Sequence, residues 1–170
     1  EILAMANYPS YDPNEPGAID AENRRNFAIA DMVEPGSTFK LVTAIAAVEQ
    51  NVIKEDEVFE TPENGEVIIH GLPLRDHDPL GNMSIEQVIQ QSSNVATAEI
   101  AMRLDNDTFY QDMRNLGFGT PTHVDIVGEE SGRMTNPYEW SLVSLPWLSH
   151  GYELLTTPIQ ITQAYAAFAN

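Results

Sequence analysis

The chain has 170 residues, 42% of them hydrophobic, enough for the core of one domain or part of one. Its 26 acids face only 8 bases, for a formal net charge of −18, so too few cations are present to neutralise the phosphates of a nucleic acid. Cysteine is absent, which excludes disulfides, thiol catalysis and cysteine-held metals, and no apolar run approaches the roughly 18 residues of a membrane span.

Glu1-Ile2-Leu3-Ala4-Met5 reads as a strand already under way, and residues 1–10 alternate weakly up to Pro9, which suits one strand of a hairpin or sheet. An opening of this kind leads us to expect any targeting segment upstream. Residues 11–34 carry turn residues and then Asn23-Arg24-Arg25-Asn26, a polar connection with a small basic island suited to a local salt bridge. Pro35-Gly36 turns the chain into a helix predicted over about 37–50, whose body is apolar and Ala-rich. Residues 55–82 read as irregular with short strands, since Glu66-Val67-Ile68-Ile69-His70 lies between Gly65 and Gly71. Ser84 with Gln87 three residues later forms a capping box for a second helix, with Ile85, Val88 and Ile89 as its apolar stripe. That helix breaks at Ser92-Ser93-Asn94, and a further helical run continues through Leu104. Asp107 is expected to cap the next helix, which stops at Gly117. Thr156-Thr157-Pro158 opens the last helix, with Pro at its first position, through Ala169. The acids, among them Glu55-Asp56-Glu57, Asp105 and Glu129-Glu130, are dispersed rather than gathered in a tail, the pattern of a solubilising surface suited to high salt.

Chemistry concentrates in two places. Ser37 and Lys40 stand three residues apart at a helix start, so they share a face, and the positive end of the helix dipole favours an alkoxide at Ser37. A serine with an adjacent lysine base is a known nucleophilic arrangement. With nine serines and two lysines in the chain, such a pair is expected by chance roughly 0.1 times, and the plain alternative is an N-cap serine followed by a solvated lysine. The second place is Ser92-Ser93-Asn94, where a break between helices can point a hydroxyl and a carboxamide into a cleft, although Ser and Asn also break helices for local reasons. A hydroxyl that relays a proton and an amide that orients an amine are what acyl transfer needs.

With these motifs in place, the chain resembles the class B penicillin-binding proteins, serine D,D-transpeptidases that cross-link peptidoglycan. The resemblance runs through YPSYDPN (8–14), NRRNFAIADMVEPGSTFK (23–40), SSNVA (92–96), LGFGTPT (116–122), GEESG (128–132) and GYELLTTPIQITQAYAAFAN (151–170), and the EPGSTFK form is most similar to the division-specific, septal branch. It implies an α+β fold of the penicillin-binding protein and serine β-lactamase kind, represented here mostly by its helical part with few strands. It implies Ser37 as acylated nucleophile, Lys40 as general base, Ser92 as proton relay, and Asn94 as holder of Lys40 and of the donor peptide. An amine buried beside hydroxyls and an amide is expected to have a depressed pKa, so Lys40 should be deprotonated at rest. The Ser37 N–H would supply one oxyanion donor, and Ser93 would be structural. No cofactor is implied. The implied partners are peptidoglycan stem peptides, β-lactam antibiotics and division-machinery membrane proteins, at the periplasmic face of the inner membrane, with anchorage by an upstream helix.

The resemblance also carries a third motif, Lys-Thr-Gly or Lys-Ser-Gly, on a strand beyond the last helix. Neither lysine here is followed by that pair, because Lys40 precedes Leu41 and Lys54 precedes Glu55. Residues 1–170 are therefore expected to be a partial transpeptidase domain, lacking the C-terminal sheet strands and inactive alone. Two rival functions stand beside this one. A serine β-lactamase would need a deacylating base, for which Glu129, Glu130 and Glu139 are available; an idle β-lactam sensor or division scaffold would need none. His70, Asp76, His77 and Asp78 lack a recognisable metal-ligand spacing. His123 and His150 read as structural, and Trp140, Trp147 and Tyr152 as packing residues or lining of a groove.

Overall fold

The computed structural model describes residues 2–169; Glu1, the first residue of the expected opening strand, lies outside them. After two 3-10 turns (Pro16–Ala18 and Ala21–Arg24), α1 (Phe27–Ala30) begins where the Asn26 side chain accepts the Ala28 N–H at 3.1 Å. A 3-10 turn, Gly36–Phe39, leads into α2 (Lys40–Glu49). Four short strands follow, β1 (Phe59–Glu60), β2 (Glu66–Ile69), β3 (Leu72–Arg75) and β4 (Asn82–Met83), then α3 (Ile85–Gln90), α4 (Asn94–Ala101) and α5 (Asn106–Asn115). β5 (Arg133–Met134), α6 (Ser144–Leu148), β6 (Leu154–Leu155) and α7 (Pro158–Phe168) complete the chain. Among the described residues the strands form only two-stranded antiparallel ladders, β1–β4, β2–β3 and β5–β6, so the α+β reading with few strands holds.

The core is built by small residues that let helices approach closely. Ala46 and Ala47 of α2 and Ala96 and Ala101 of α4 are buried, and Phe39 closes one end with its ring edge-on to Phe118 and Phe109 at 5.1 and 6.5 Å. Ala164 of α7 and Met113 of α5 pack into the same cluster. Trp147 packs instead on a smaller cluster of Ile69, Leu74 and Ala98.

Three expectations need correction. The opening segment forms no strand in residues 2–10, because a strand exists only through a partner's ladder and none lies beside it among the described residues; Asn7 donates to the Asn26 side chain at 3.0 Å instead. Asp105, not Asp107, caps α5: its carboxylate accepts from the Thr108 N–H at 2.9 Å and the Thr108 hydroxyl at 2.6 Å, whereas Asp107 lies inside the first turn. The helix at Ser37 is α-helical only from Lys40, its first turn being 3-10.

Other local signals act as read. The Ser84 and Gln87 capping box is present, with the Ser84 N–H donating to the Gln87 carboxamide at 2.9 Å. Gly117, at φ +97, ends α5 with Gly117 N–H to Arg114 C=O at 3.0 Å and Phe118 N–H to Met113 C=O at 3.1 Å, both bonds of a Schellman motif. Arg25 of the basic island pairs with Asp31. The poorly alternating run at 66–70 proves to be half of a hairpin turned by His70-Gly71, both at positive φ as a type I′ turn requires.

Candidate active site

Ser37 is exposed within the 3-10 turn, and the Lys40 N–H donates to the Ser37 C=O. In 3-10 geometry side chains at i and i+3 eclipse, so Ser37 and Lys40 stand on one side more nearly than an α-helical turn would set them. Lys40 is 2% exposed, a lysine sunk beside the aromatic end of the core. Its Nζ donates to the Ser92 hydroxyl at 2.9 Å and to the Ser92 carbonyl across 52 positions of sequence. As a neutral amine it has two N–H groups and one lone pair. The two bonds to Ser92 use both N–H groups, which leaves the lone pair for a proton. Burial lowers the Lys40 pKa to about 8, against the nearby Asp76 anion, which raises it. The direction is the one expected, but the extent is smaller: a pKa near 8 leaves about a tenth of the amine deprotonated at pH 7.

Ser92 sits at φ +56, a left-handed conformation usually left to glycine. It occupies that place because it closes α3: the Ser92 N–H reaches Ile89 C=O at 3.1 Å and the Ser93 N–H reaches Val88 C=O at 3.0 Å. The next residue, Ser93, opens α4 as its cap, accepting the Ala96 N–H at 3.0 Å. Two helices thus meet with no spare residue between them, and Ser92 is held facing Lys40 by both.

Asp76, just past β3, enters the sequence reading only within a run that lacks metal-ligand spacing. Its carboxylate accepts the Ser93 hydroxyl at 2.8 Å, the Asn94 N–H, and the Val95 N–H at 3.0 Å, at the positive end of α4. Only its acidity was legible, because it lies 17 to 19 positions upstream of its partners. The Asn94 side chain donates to Arg75 C=O at 2.8 Å, so the structure brings together Lys40 and Ser92, while Asn94 is tied to the hairpin rather than to Lys40.

His150 is buried, with Nδ1 at 2.8 Å from Pro146 C=O and its ring against Trp147 and Tyr152. Burial lowers its pKa to about 4, opposed by the Pro146 hydrogen bond, so the imidazole is neutral near pH 7. Of the glutamates considered as deacylating bases, Glu129 is committed elsewhere. Burial pushes its carboxyl up, yet bonds from Thr122 and His123 hold it below the ordinary glutamate value. Glu139 is exposed at the end of the 3-10 turn Pro137–Glu139. An apolar groove of about 560 Å³ between α2 and α3 is lined by Leu41, Ile45, Ile85 and Ile89 and holds none of these reactive groups.

Comparison with known proteins shows the family. The family model described as the penicillin binding protein transpeptidase domain matches residues 1–170. The chain is 33% identical over 170 residues to the peptidoglycan D,D-transpeptidase FtsI of Escherichia coli K12, covering all of this chain and 28% of that protein. It is 34% identical to the probable peptidoglycan D,D-transpeptidase PenA of Neisseria gonorrhoeae, covering all of this chain and 29% of that one. Among solved structures, penicillin-binding protein 3 of Mycobacterium tuberculosis in complex with aztreonam superposes with a TM-score of 0.82 at 32% identity, covering 95% of this chain and 36% of that one. The transpeptidase domain of Burkholderia pseudomallei penicillin-binding protein 3 gives 0.82 at 30% identity, covering 85% and 44%. The chain therefore spans less than a third of the curated relatives named here.

Proposed function

The chain belongs to the penicillin-binding protein transpeptidase family, and from that premise we propose that it is part of the catalytic domain of a class B, division-type peptidoglycan D,D-transpeptidase. The observation that carries this is the buried Lys40 amine bonded to Ser92, on a residue one 3-10 turn past the exposed Ser37. Ser37 Oγ attacks the carbonyl of a terminal D-Ala-D-Ala bond while the Lys40 lone pair takes its proton. The tetrahedral oxyanion receives the Ser37 N–H at the start of the helical run. Ser92, whose oxygen accepts from Lys40, passes its hydroxyl proton to the leaving amine and takes in return the proton that Lys40 removed from Ser37, and D-alanine departs. The amine of a second stem peptide then attacks the ester, restoring Ser37 and forming the cross-link. Asn94, fixed by Arg75 and Asp76, borders the donor peptide. A β-lactam enters as a mimic of the scissile amide, and its opened ring leaves an ester on Ser37.

Action on stem peptides at the outer face of the inner membrane, anchorage by a helix elsewhere in the protein, and contact with division-machinery membrane proteins belong to the same reading. No helix of the described residues is long and apolar enough to cross a membrane.

Intact-mass analysis after incubation with penicillin tests the proposal in a protein carrying this chain. A stoichiometric adduct on Ser37, absent from Ser37→Ala and lasting many minutes, is expected; no adduct sinks the transpeptidase reading, and rapid turnover favours a β-lactamase. The 170 residues contain no Lys-Thr-Gly or Lys-Ser-Gly. By themselves they are expected to acylate more slowly, by at least about 10³, than a protein that pairs them with such a strand and its oxyanion donor.

A further inference from the structure

We infer that the Ser149–Thr156 segment is a cradle that sets the position of Ser37, with Gly151 as its point of contact, so that Gly151 is a positioning residue for acyl transfer. The inference rests on the transpeptidase reading above. The Gly36 N–H, immediately before the nucleophile, donates to Gly151 C=O at 3.1 Å. The two backbones approach so closely that a Cβ on Gly151 would stand 2.2 Å from Gly36 O, 2.5 Å from its N and 2.8 Å from its carbonyl carbon. Both glycines are at positive φ, +57 and +88. The contact is fixed at each end. Val33 and Thr156 exchange both backbone hydrogen bonds at 2.9 Å, the Glu153 N–H reaches the Glu34 carboxylate at 3.2 Å, and the Thr43 hydroxyl, one turn past Lys40, donates to Ser149 C=O at 2.7 Å. From the other side, the Tyr165 hydroxyl donates to Thr38 C=O at 2.8 Å. The turn that bears Ser37 is therefore bracketed before, at and after the nucleophile by chain more than 100 residues away in sequence.

A side chain at 151 must push this turn, because the atoms it meets are backbone and cannot rotate aside. A displacement of about 1 Å at a reacting atom costs on the order of 10²-fold in rate. In the protein carrying this chain, Gly151→Ala is expected to lower the rate constant of Ser37 acylation by fluorescent penicillin about 10²-fold. Gly128→Ala serves as the control for backbone strain, since Gly128 has φ +93 and nothing within 4 Å of its Cβ position; it is expected to acylate as wild type does. Equal acylation by Gly151→Ala and wild type would overturn the cradle, as would an equal loss in Gly128→Ala. A second measurement needs no variant: the Gly36 amide is expected to be protected in hydrogen exchange, and exchange at the rate of a free amide would also overturn it. Failure of the wild-type protein to acylate at all would instead reject the transpeptidase reading, so the two failures are distinguishable.

Discussion

Replacing Lys40 by arginine is expected to reduce acylation of Ser37 by at least about 10³-fold, because a guanidinium cannot give up its proton and the general base is lost. Lys40→Met separates chemistry from stability. The folded-state pKa of about 8 lies below the ordinary 10.5, so the unfolded chain binds more protons between these values. Stability therefore rises with pH from about 8 to 10.5, and below 8 the full cost of burying the cation is present. That cost is about 3 kcal/mol by linkage. Lys40→Met is thus expected to be inactive yet more stable than wild type at pH 7, with the advantage gone above pH 10.5, as chemical denaturation at several pH values will report. The acylation rate of the wild-type protein should rise with pH and level off above about 8, since only the neutral amine accepts a proton. A flat profile from pH 6 to 9.5, or near-wild-type acylation by Lys40→Arg, would remove Lys40 from the role of base.

What could be read from the sequence follows the range of the interactions involved. The Ser84 box, the Gly117 stop and the Pro158 start are local, each set within about one helical turn, and each appears where its residues stand. Asp105 and Asp107 both precede the apolar face of α5, and only the cap geometry distinguishes them. Ladder partners are not local, so the strand expected over residues 1–10 has none among the described residues 2–10, and the hairpin at 66–75 shows in the sequence only as a bounded run. Within the proposed site, Ser37, Lys40, Ser92 and Asn94 stand out in the sequence through motif and resemblance. The residues that hold them, Asp76 and Gly151, act across loops and carry no short-range pattern.

Asp76→Ala is expected to damage stability and acylation together. It leaves the Ser93 hydroxyl and the Asn94 and Val95 N–H groups without their shared acceptor at the N-terminus of α4. Loss of a charge-assisted acceptor shared by three donors at the positive end of a helix costs about 3 kcal/mol. Since Ser92 and Asn94 flank that N-terminus, acylation is expected to fall about 10²-fold with the misplacement. Asp76→Asn isolates the charge. Its carboxamide oxygen can still accept the two backbone N–H groups, so most of the stability should return. The anion that raises the Lys40 pKa is gone, however, and the midpoint of the pH–rate profile should move below 8. A structural acceptor alone would restore stability and leave that midpoint in place. A midpoint in Asp76→Asn equal to that of wild type would show that Asp76 holds α4 but does not tune the base, whereas a shift towards acid shows one carboxylate doing both.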